Sequence, residues 1–278
     1  ITAAAGVEDL RRITTPVITN DASTALFWID MSGMRHELGG SAFSQTAGSL
    51  GTVAPGVADP DYFAAAFETL QLMIKDGRII AGHDISAGGM IVTILEMCFA
   101  NSEGGLALNL TEIGEPDSVR LLYSQNPGVI IQVRDEAETE EFLFERGIRF
   151  ASIGHPINER KLSVANGESH FEFDIDRCRS VWYRSSYLLD RRQCGPELAR
   201  ERFEKHGSKA LQFNLKNCTG SFRSLGITPD RKASTGIRAA IIREKGVNGD
   251  REMAYALWLA GFDVRDVHMT DLISGRET

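Results

Sequence analysis

The sequence predicts a layered α/β fold of the α+β kind, in which helices cover the faces of a sheet as α/β/α layers, followed by a short βαβ unit. Three observations carry this. Over residues 21–190, short apolar runs and amphipathic stretches alternate without clean β-α-β repetition, the pattern of helices laid on a sheet. Residues 236–278 follow a strand, turn, helix, strand order. The composition is that of a globular chain: 278 residues, 42% hydrophobic and 24% charged. Disorder, collagen-like repeats and a disulfide-dense miniprotein are thereby excluded.

Taken in order, 25–30 (Ala-Leu-Phe-Trp-Ile-Asp) is a buried strand. Asp59-Pro60-Asp61 starts a helix, because Asp59 can cap free N–H groups and proline suits the first helical position. Tyr62, Phe63, Ala66, Phe67, Leu70, Met73 and Ile74 then recur at helical spacing, the buried face of the helix. A short strand is expected at 78–81, an apolar helix at 90–100, a strand at 129–133 and an acidic helix at 136–146. Three strands follow at 150–153, 161–165 and 171–175. Residues 191–235 read as a linker or irregular surface segment. The tail is a strand at 237–243, a turn at 246–250, a helix at 251–260 stopped by Gly261, and a strand at 262–269. Two strands cannot bury both faces of a parallel sheet. With no initiator Met and an opening of Ile1-Thr2-Ala3-Ala4-Ala5, the chain reads as a piece of something longer. Its bare sheet edge is expected to find a partner.

Charge is unevenly spread. Residues 1–190 hold 14 basic and 27 acidic side chains, residues 191–235 hold 10 and 4, and the whole carries -8. The basic stretch is expected to lie against its acidic neighbour, since an acidic whole repels a polyanion; no nucleic-acid partner is expected. No apolar run reaches the roughly 18 residues of a membrane span, so no membrane partner is expected either. Four cysteines (Cys98, Cys178, Cys194, Cys218) without CxxC spacing point to a reduced, cytoplasmic setting. Six histidines show no zinc-binding spacing. Neither Cys194 nor Cys218 sits in a nucleophile elbow, and no catalytic residue is expected within this chain.

The segment from Gly82 to Gly89 is the most informative. It lies between a strand and an apolar helix. His83 precedes Asp84, which offers a hard oxygen to Mg²⁺, and Ser86 offers a hydroxyl to a nucleotide phosphate. Gly88 and Gly89 allow close backbone approach at a helix start that attracts anions. The bland alternative is a polar turn with Asp84 and Ser86 serving local backbone. Leu38-Gly39-Gly40-Ser41 is a second glycine pair at a helix start, with tight packing as its bland alternative.

These residues carry a resemblance. Leu38–Ser41, then His83-Asp84-Ile85-Ser86-Ala87-Gly88-Gly89 leading into Glu96-Met97-Cys98-Phe99-Ala100, resemble the aminoimidazole ribonucleotide synthetase superfamily, C-terminal domain. Arg243–Asn248, Glu252-Met253-Ala254, Ala260–Asp263 and Asp266–Leu272 resemble the start of a class I glutaminase domain. The two in this order are similar to the large, single-chain phosphoribosylformylglycinamidine synthases. The resemblance implies a ligase using ATP, glutamine and formylglycinamide ribonucleotide, with ATP or ADP and Mg²⁺ bound. It implies Asp84 as a Mg²⁺ ligand and Ser86 as a nucleotide contact, supported by His83, Gly88, Gly89, Gly39, Gly40 and Ser41. The remaining metal ligands would lie upstream of Ile1 and the glutaminase nucleophile beyond Thr278, both in the rest of the same polypeptide. It divides the chain into 1–20, the end of a preceding subdomain with part of its last strand; 21–190, the synthetase-like subdomain; 191–235, a linker; and 236–278, a truncated glutaminase start. One departure is Ala87, where the family often has Asp. Two other readings stay open: a non-catalytic nucleotide-binding and docking module, and another superfamily member such as a selenophosphate synthetase or thiamine-monophosphate kinase.

Overall fold

Alternation along the first strand sets the architecture. β1 (Ala25–Asp30) directs Leu26 to one face and Phe27 and Ile29 to the other, as the period of two requires, and all three are fully buried. A strand buried on both faces needs helices on both. The computed structural model describes residues 6–7, 9, 12–207 and 220–277, which fall into two units, Ile1–Lys209 and Ala210–Thr278. The opening residues 1–5 and Cys218 lie outside the described residues.

The first unit is a seven-stranded sheet in the order β2-β4-β1-β5-β3-β6-β7. Its strands are β1, β2 (Ile79–Asp84), β3 (Gly105–Asn109), β4 (Gly128–Val133), β5 (Phe150–Ile157), β6 (Lys161–Asn166) and β7 (Ser169–Asp174). All pairs are antiparallel except β3–β6. Between the strands run α1 (Ala42–Thr46), α2 (Pro60–Lys75), α3 (Gly89–Phe99), α4 (Ser118–Tyr123) and α5 (Glu136–Glu145). After β7 come α6 (Ile175–Gln193) and α7 (Pro196–Glu204).

One face packs Phe27, Ile29 and Ile131 against Leu70 and Met73 of α2 and Leu143 of α5. The other packs Leu26, Leu106 and Ile130 against Met90 and Ile94 of α3, Leu121 of α4 and Ile175 of α6. An irregularity in β2 between Ile79 and Ala81 sends these two residues to opposite cores. As the sequence requires, Asp59 caps α2 by accepting from the N–H groups of Asp61 and Tyr62 at 3.0 and 3.2 Å.

The structure departs from the sequence reading in places that share a cause. β5 runs to Ile157, beyond the expected 153, because it continues by pairing with β3. β3 itself was not expected: Gly-Leu-Ala-Leu-Asn has weak strand preference, and its neighbours impose the strand. Gly105 and Gly154 permit this, for a Cβ on either would lie 1.9 or 2.1 Å from a neighbouring carbonyl oxygen. Within the expected linker 191–235, residues 196–204 form α7 on a Pro196 start, and Tyr187 of α6 stacks on Phe203 of α7 at 4.8 Å. The described residues of 12–20 form no strand. They are tied down by separate hydrogen bonds: Gly82 donates to the Thr15 carbonyl at 3.0 Å, Ile18 donates to the Met97 carbonyl at 3.3 Å, and Thr19 exchanges two with the Gln132 side chain at 2.9 and 3.0 Å.

In the second unit, β8 (Arg238–Arg243) and β9 (Asp263–His268) pair in parallel around α8 (Asp250–Leu259), with α9 (Met269–Ile273) after them. This is the expected βαβ unit. Gly261, at φ +99°, ends α8 in the left-handed conformation that glycine alone adopts cheaply. No residue of α8 is buried, and Ile242, Met253 and Tyr255 are each more than half exposed.

Candidate functional site

β2 delivers the site. Its last residue, Asp84, pairs with Val129, and Ile85 extends the ladder by donating to the Gly128 carbonyl at 2.8 Å. The chain then turns, and Gly89 donates back to the Ser86 carbonyl at 3.0 Å. Gly88 is the residue before α3, at φ +98°, and no side chain caps the helix. Gly89 also has positive φ, +76°, and a Cβ there would lie 2.6 Å from the Tyr123 backbone. The two glycines are therefore required by the turn and by the close approach of α4. Thr93 on the second turn of α3 donates to the Asp84 carbonyl at 3.1 Å and fastens helix to strand.

Two side chains of this loop face outward. Ser86 is exposed, and its hydroxyl forms no hydrogen bond among the described residues. The Asp84 side chain is 74% exposed and lies 3.3 Å from His83 Nδ1. The His83 ring bridges inward. Nδ1 lies 2.8 Å from the Asp84 carbonyl oxygen and Nε2 lies 3.4 Å from Glu96 Oε2, so both nitrogens face oxygens. Glu96 in turn accepts from the Trp182 indole N–H of α6 at 2.9 Å. Beside His83 and Asp84 opens a mainly apolar cleft of about 350 Å³, walled by Thr14, Pro16, Phe67 and Ile74.

For Mg²⁺, Asp84 supplies one anionic oxygen in the open. Among the described residues no three His, Cys, Asp or Glu side chains cluster as a metal site. The fit is that of a single contributing ligand, with the rest of the shell drawn from phosphate, water or other chain.

The second glycine motif is engaged internally. Gly39 donates to Val53 at 2.9 Å and Gly40 donates to Leu50 at 2.7 Å, which occupies the N–H groups a phosphate would need. Ser41 is buried and caps α1 by accepting from Ser44 N–H at 3.2 Å. A residue that sequence reasoning did not single out joins the two motifs. With its amide oxygen turned inward, Gln125 accepts from Ala42 N–H and from Gly88 N–H, both at 2.9 Å. Its neighbours hold the preceding loop: Asn126 Nδ2 donates to Ser32 Oγ and to the Arg35 carbonyl at 3.0 Å, and Ser124 Oγ donates to the Glu37 carbonyl at 3.0 Å. Ser-Gln-Asn-Pro reads only as a turn, so no local signal marks it.

A second cleft of about 570 Å³ lies at the C-terminal end of β1, lined by Asp30, Arg35, His36, Glu115 and Arg149. Burial holds the His36 imidazole below its ordinary pKa, against the opposing pull of the Glu115 and Asp30 carboxylates. The buried Cys98 thiol is pushed up to about 12 by desolvation, which makes it inert as a nucleophile.

Residues 29–165 match the family described as AIR synthase related protein, C-terminal domain, and residues 236–278 match the CobB/CobQ-like glutamine amidotransferase domain. Over 283 aligned residues the chain is 32% identical to phosphoribosylformylglycinamidine synthase of Homo sapiens, covering 99% of this chain and 21% of that protein. The chain thus spans about a fifth of the length of this curated relative. Among solved structures, PurLQS from Thermotoga maritima matches with a TM-score of 0.47 at 14% identity, over 61% of this chain and 28% of that one. T. maritima PurL complexed with FGAR matches with a TM-score of 0.48 at 16% identity, over 61% and 30%. Residues 29–165 are therefore similar to the AIR-synthase-related C-terminal domain family, and residues 236–278 to the CobB/CobQ-like glutamine amidotransferase family.

Proposed function

We propose that this chain is part of an ATP- and glutamine-dependent ligase of purine biosynthesis, acting in the cytoplasm. The reaction converts formylglycinamide ribonucleotide to formylglycinamidine ribonucleotide. ATP phosphorylates the amide oxygen, and ammonia released from glutamine displaces the phosphate. The observation that carries this is the 32% identity to the human synthase along nearly the whole chain. Its proposed organisation is the end of one subdomain at 1–20, a synthetase-like subdomain at 21–190, a linker at 191–235 and part of a glutaminase at 236–278.

Within that reading the loop after β2 is a nucleotide site. Ser86 would contact the nucleotide, and Asp84 would contribute its carboxylate to Mg²⁺. His83, Gly88 and Gly89 shape the loop, while Gly39, Gly40 and Ser41 support it from α1 through Gln125. A bound Mg²⁺ would screen phosphate charge. The chain's own contribution is to place one carboxylate and one hydroxyl at the open end of a strand. A second reading, a nucleotide-binding docking module without chemistry of its own, is favoured by the exposed Asp84 carboxylate, which joins no cluster of three His, Cys, Asp or Glu among the described residues.

Calorimetric titration of this chain with ADP and Mg²⁺ tests the site. Weak or undetectable binding is expected from one metal ligand; submicromolar binding would overturn the view that further ligands are required. In the full polypeptide, Asp84→Asn is expected to weaken nucleotide binding at least tenfold. Unchanged binding would remove Asp84 from the site.

A further inference from the structure

His83 stands between the Asp84 loop and α3. Its Nδ1 lies 2.8 Å from the Asp84 carbonyl oxygen and 3.3 Å from Asp84 Oδ1. Carbonyl and carboxylate oxygens accept, so Nδ1 is the donor. One ring nitrogen thus touches both the backbone and the carboxylate of the residue assigned to Mg²⁺. An exposed carboxylate turns freely unless something outside it sets its direction, and this contact is placed to do so.

α3 supplies the other half. Thr93 and Glu96 are three residues apart and share the helix face that meets the end of β2. Thr93 Oγ1 donates to the same Asp84 carbonyl at 3.1 Å, and Glu96 Oε2 lies 3.4 Å from His83 Nε2. The ring cannot swing away from the loop without losing a contact at one nitrogen or the other. Glu96 is the only charged residue of α3, and its partners offset the cost of a half-buried carboxylate on an apolar helix. Its second oxygen, Oε1, accepts from the Trp182 indole N–H of α6 at 2.9 Å. The Trp182 ring packs edge-on against Phe99, three residues beyond Glu96, with centroids 6.0 Å apart. A clasp of α6 on α3 needs only Trp182 and Glu96. Here the same carboxylate also reaches the loop, so the line runs Trp182, Glu96, His83, Asp84.

We propose that Glu96 and Trp182 are positioning residues for the Asp84 loop: Glu96, held by Trp182, keeps the His83 ring in place, and the ring fixes the direction in which Asp84 offers its carboxylate. This rests on the reading of that loop as a nucleotide and Mg²⁺ site. Neither residue touches the ligand, and their effect falls on the metal, because the line ends on the carboxylate and not on Ser86. Removing the outer partners of a metal-binding side chain weakens metal binding by about 10–100-fold. Glu96 stands one contact from the ring and Trp182 two, so the effect of Trp182 is the smaller.

Titration of the full polypeptide with Mg²⁺ at saturating ADP tests the proposal. The binding phase that Asp84→Asn weakens identifies this site among any others. In that phase Glu96→Ala is expected to raise the Mg²⁺ midpoint about tenfold. Trp182→Phe keeps the ring packing and removes the N–H, and is expected to raise it about threefold, as the loss of one hydrogen bond would. It also covers the case of a Glu96→Ala variant that fails to fold. Added to Glu96→Ala, Trp182→Phe is expected to change nothing further, because the line is already cut. Affinity for ADP without metal is expected to stay at the wild-type value in both single variants, a split that general loosening of α3 and α6 would not produce. Equal weakening of ADP with and without Mg²⁺ would reduce the line to a packing clasp and overturn the proposal. An unchanged Mg²⁺ midpoint in both variants, with Asp84→Asn still effective, would overturn it and leave the site standing. If Asp84→Asn weakens no phase, the site itself falls and the proposal with it.

Discussion

Gly89 and Gly40 both hold positive φ, +76° and +71°, yet they differ in what surrounds them. A Cβ on Gly40 meets nothing within 4 Å, whereas one on Gly89 collides with the Tyr123 backbone at 2.6 Å. Gly40→Ala is therefore expected to cost only the left-handed penalty of about 1–2 kcal/mol. Gly89→Ala adds a backbone clash that no rotamer relieves and is expected to exceed it by about 2 kcal/mol or more. Urea unfolding of the two variants checks the order; equal costs would place slack between α3 and α4 that the structure does not have. The sequence marked both glycine pairs without separating them. It could not, because the difference lies in α4, more than thirty residues further along the chain. Gln125 was illegible for the same reason: an amide bridging Ala42 and Gly88 has no local signature. The polar character of Asp84 and Ser86 between a strand and an apolar helix was legible because residue type alone shows it.

Elements whose own residues bury them were legible. β1 and β4 are continuous apolar runs, and α2 has a cap and a periodic face, so their bounds were read to within about a residue. β3 and α7 were not expected, because Gly-Leu-Ala-Leu-Asn and Pro-Glu-Leu-Ala-Arg become strand and helix through β5, β6 and α6. In the second unit one carboxylate organises the approach to β8. Asp263 accepts from Ser234 Oγ, from Arg231 at 3.0 Å and from the N–H groups of Thr235 and Gly236 at 3.1 and 2.7 Å. These donors hold its carboxyl well below the usual range. A depressed native pKa stabilises the fold fully above the unfolded value, about 3.9, and that stability is lost as pH falls towards the native value. The Gly236 amide is thus expected to keep its protection from exchange at pH 5 and lose it progressively below about pH 4. Asp263→Asn should flatten that dependence; a variant with the wild-type acid profile would assign the transition to another carboxylate.

At the scale of the whole sheet unit, two cores lie back to back on one seven-stranded sheet. Met73 and Ile94 are both fully buried, one in each core. Met73→Ala and Ile94→Ala are each expected to cost about 2–5 kcal/mol. Together they should sum to within about 0.5 kcal/mol, since they share no partners across the sheet. Denaturant unfolding of the double variant checks this, and a large coupling term would mean the sheet transmits strain between its faces. What the sequence determined by itself was the layered class, the elements with strong caps and apolar periods, the βαβ tail, and the loop carrying Asp84 and Ser86. Each of these is written in neighbouring residues, where propensity, capping and turn chemistry act. Only the tertiary structure decided the strand order, the strands and helices of weak local preference, and the tie from α1 to the Asp84 loop. Those depend on which distant segments meet, and contact between distant segments is set by packing across the whole sheet.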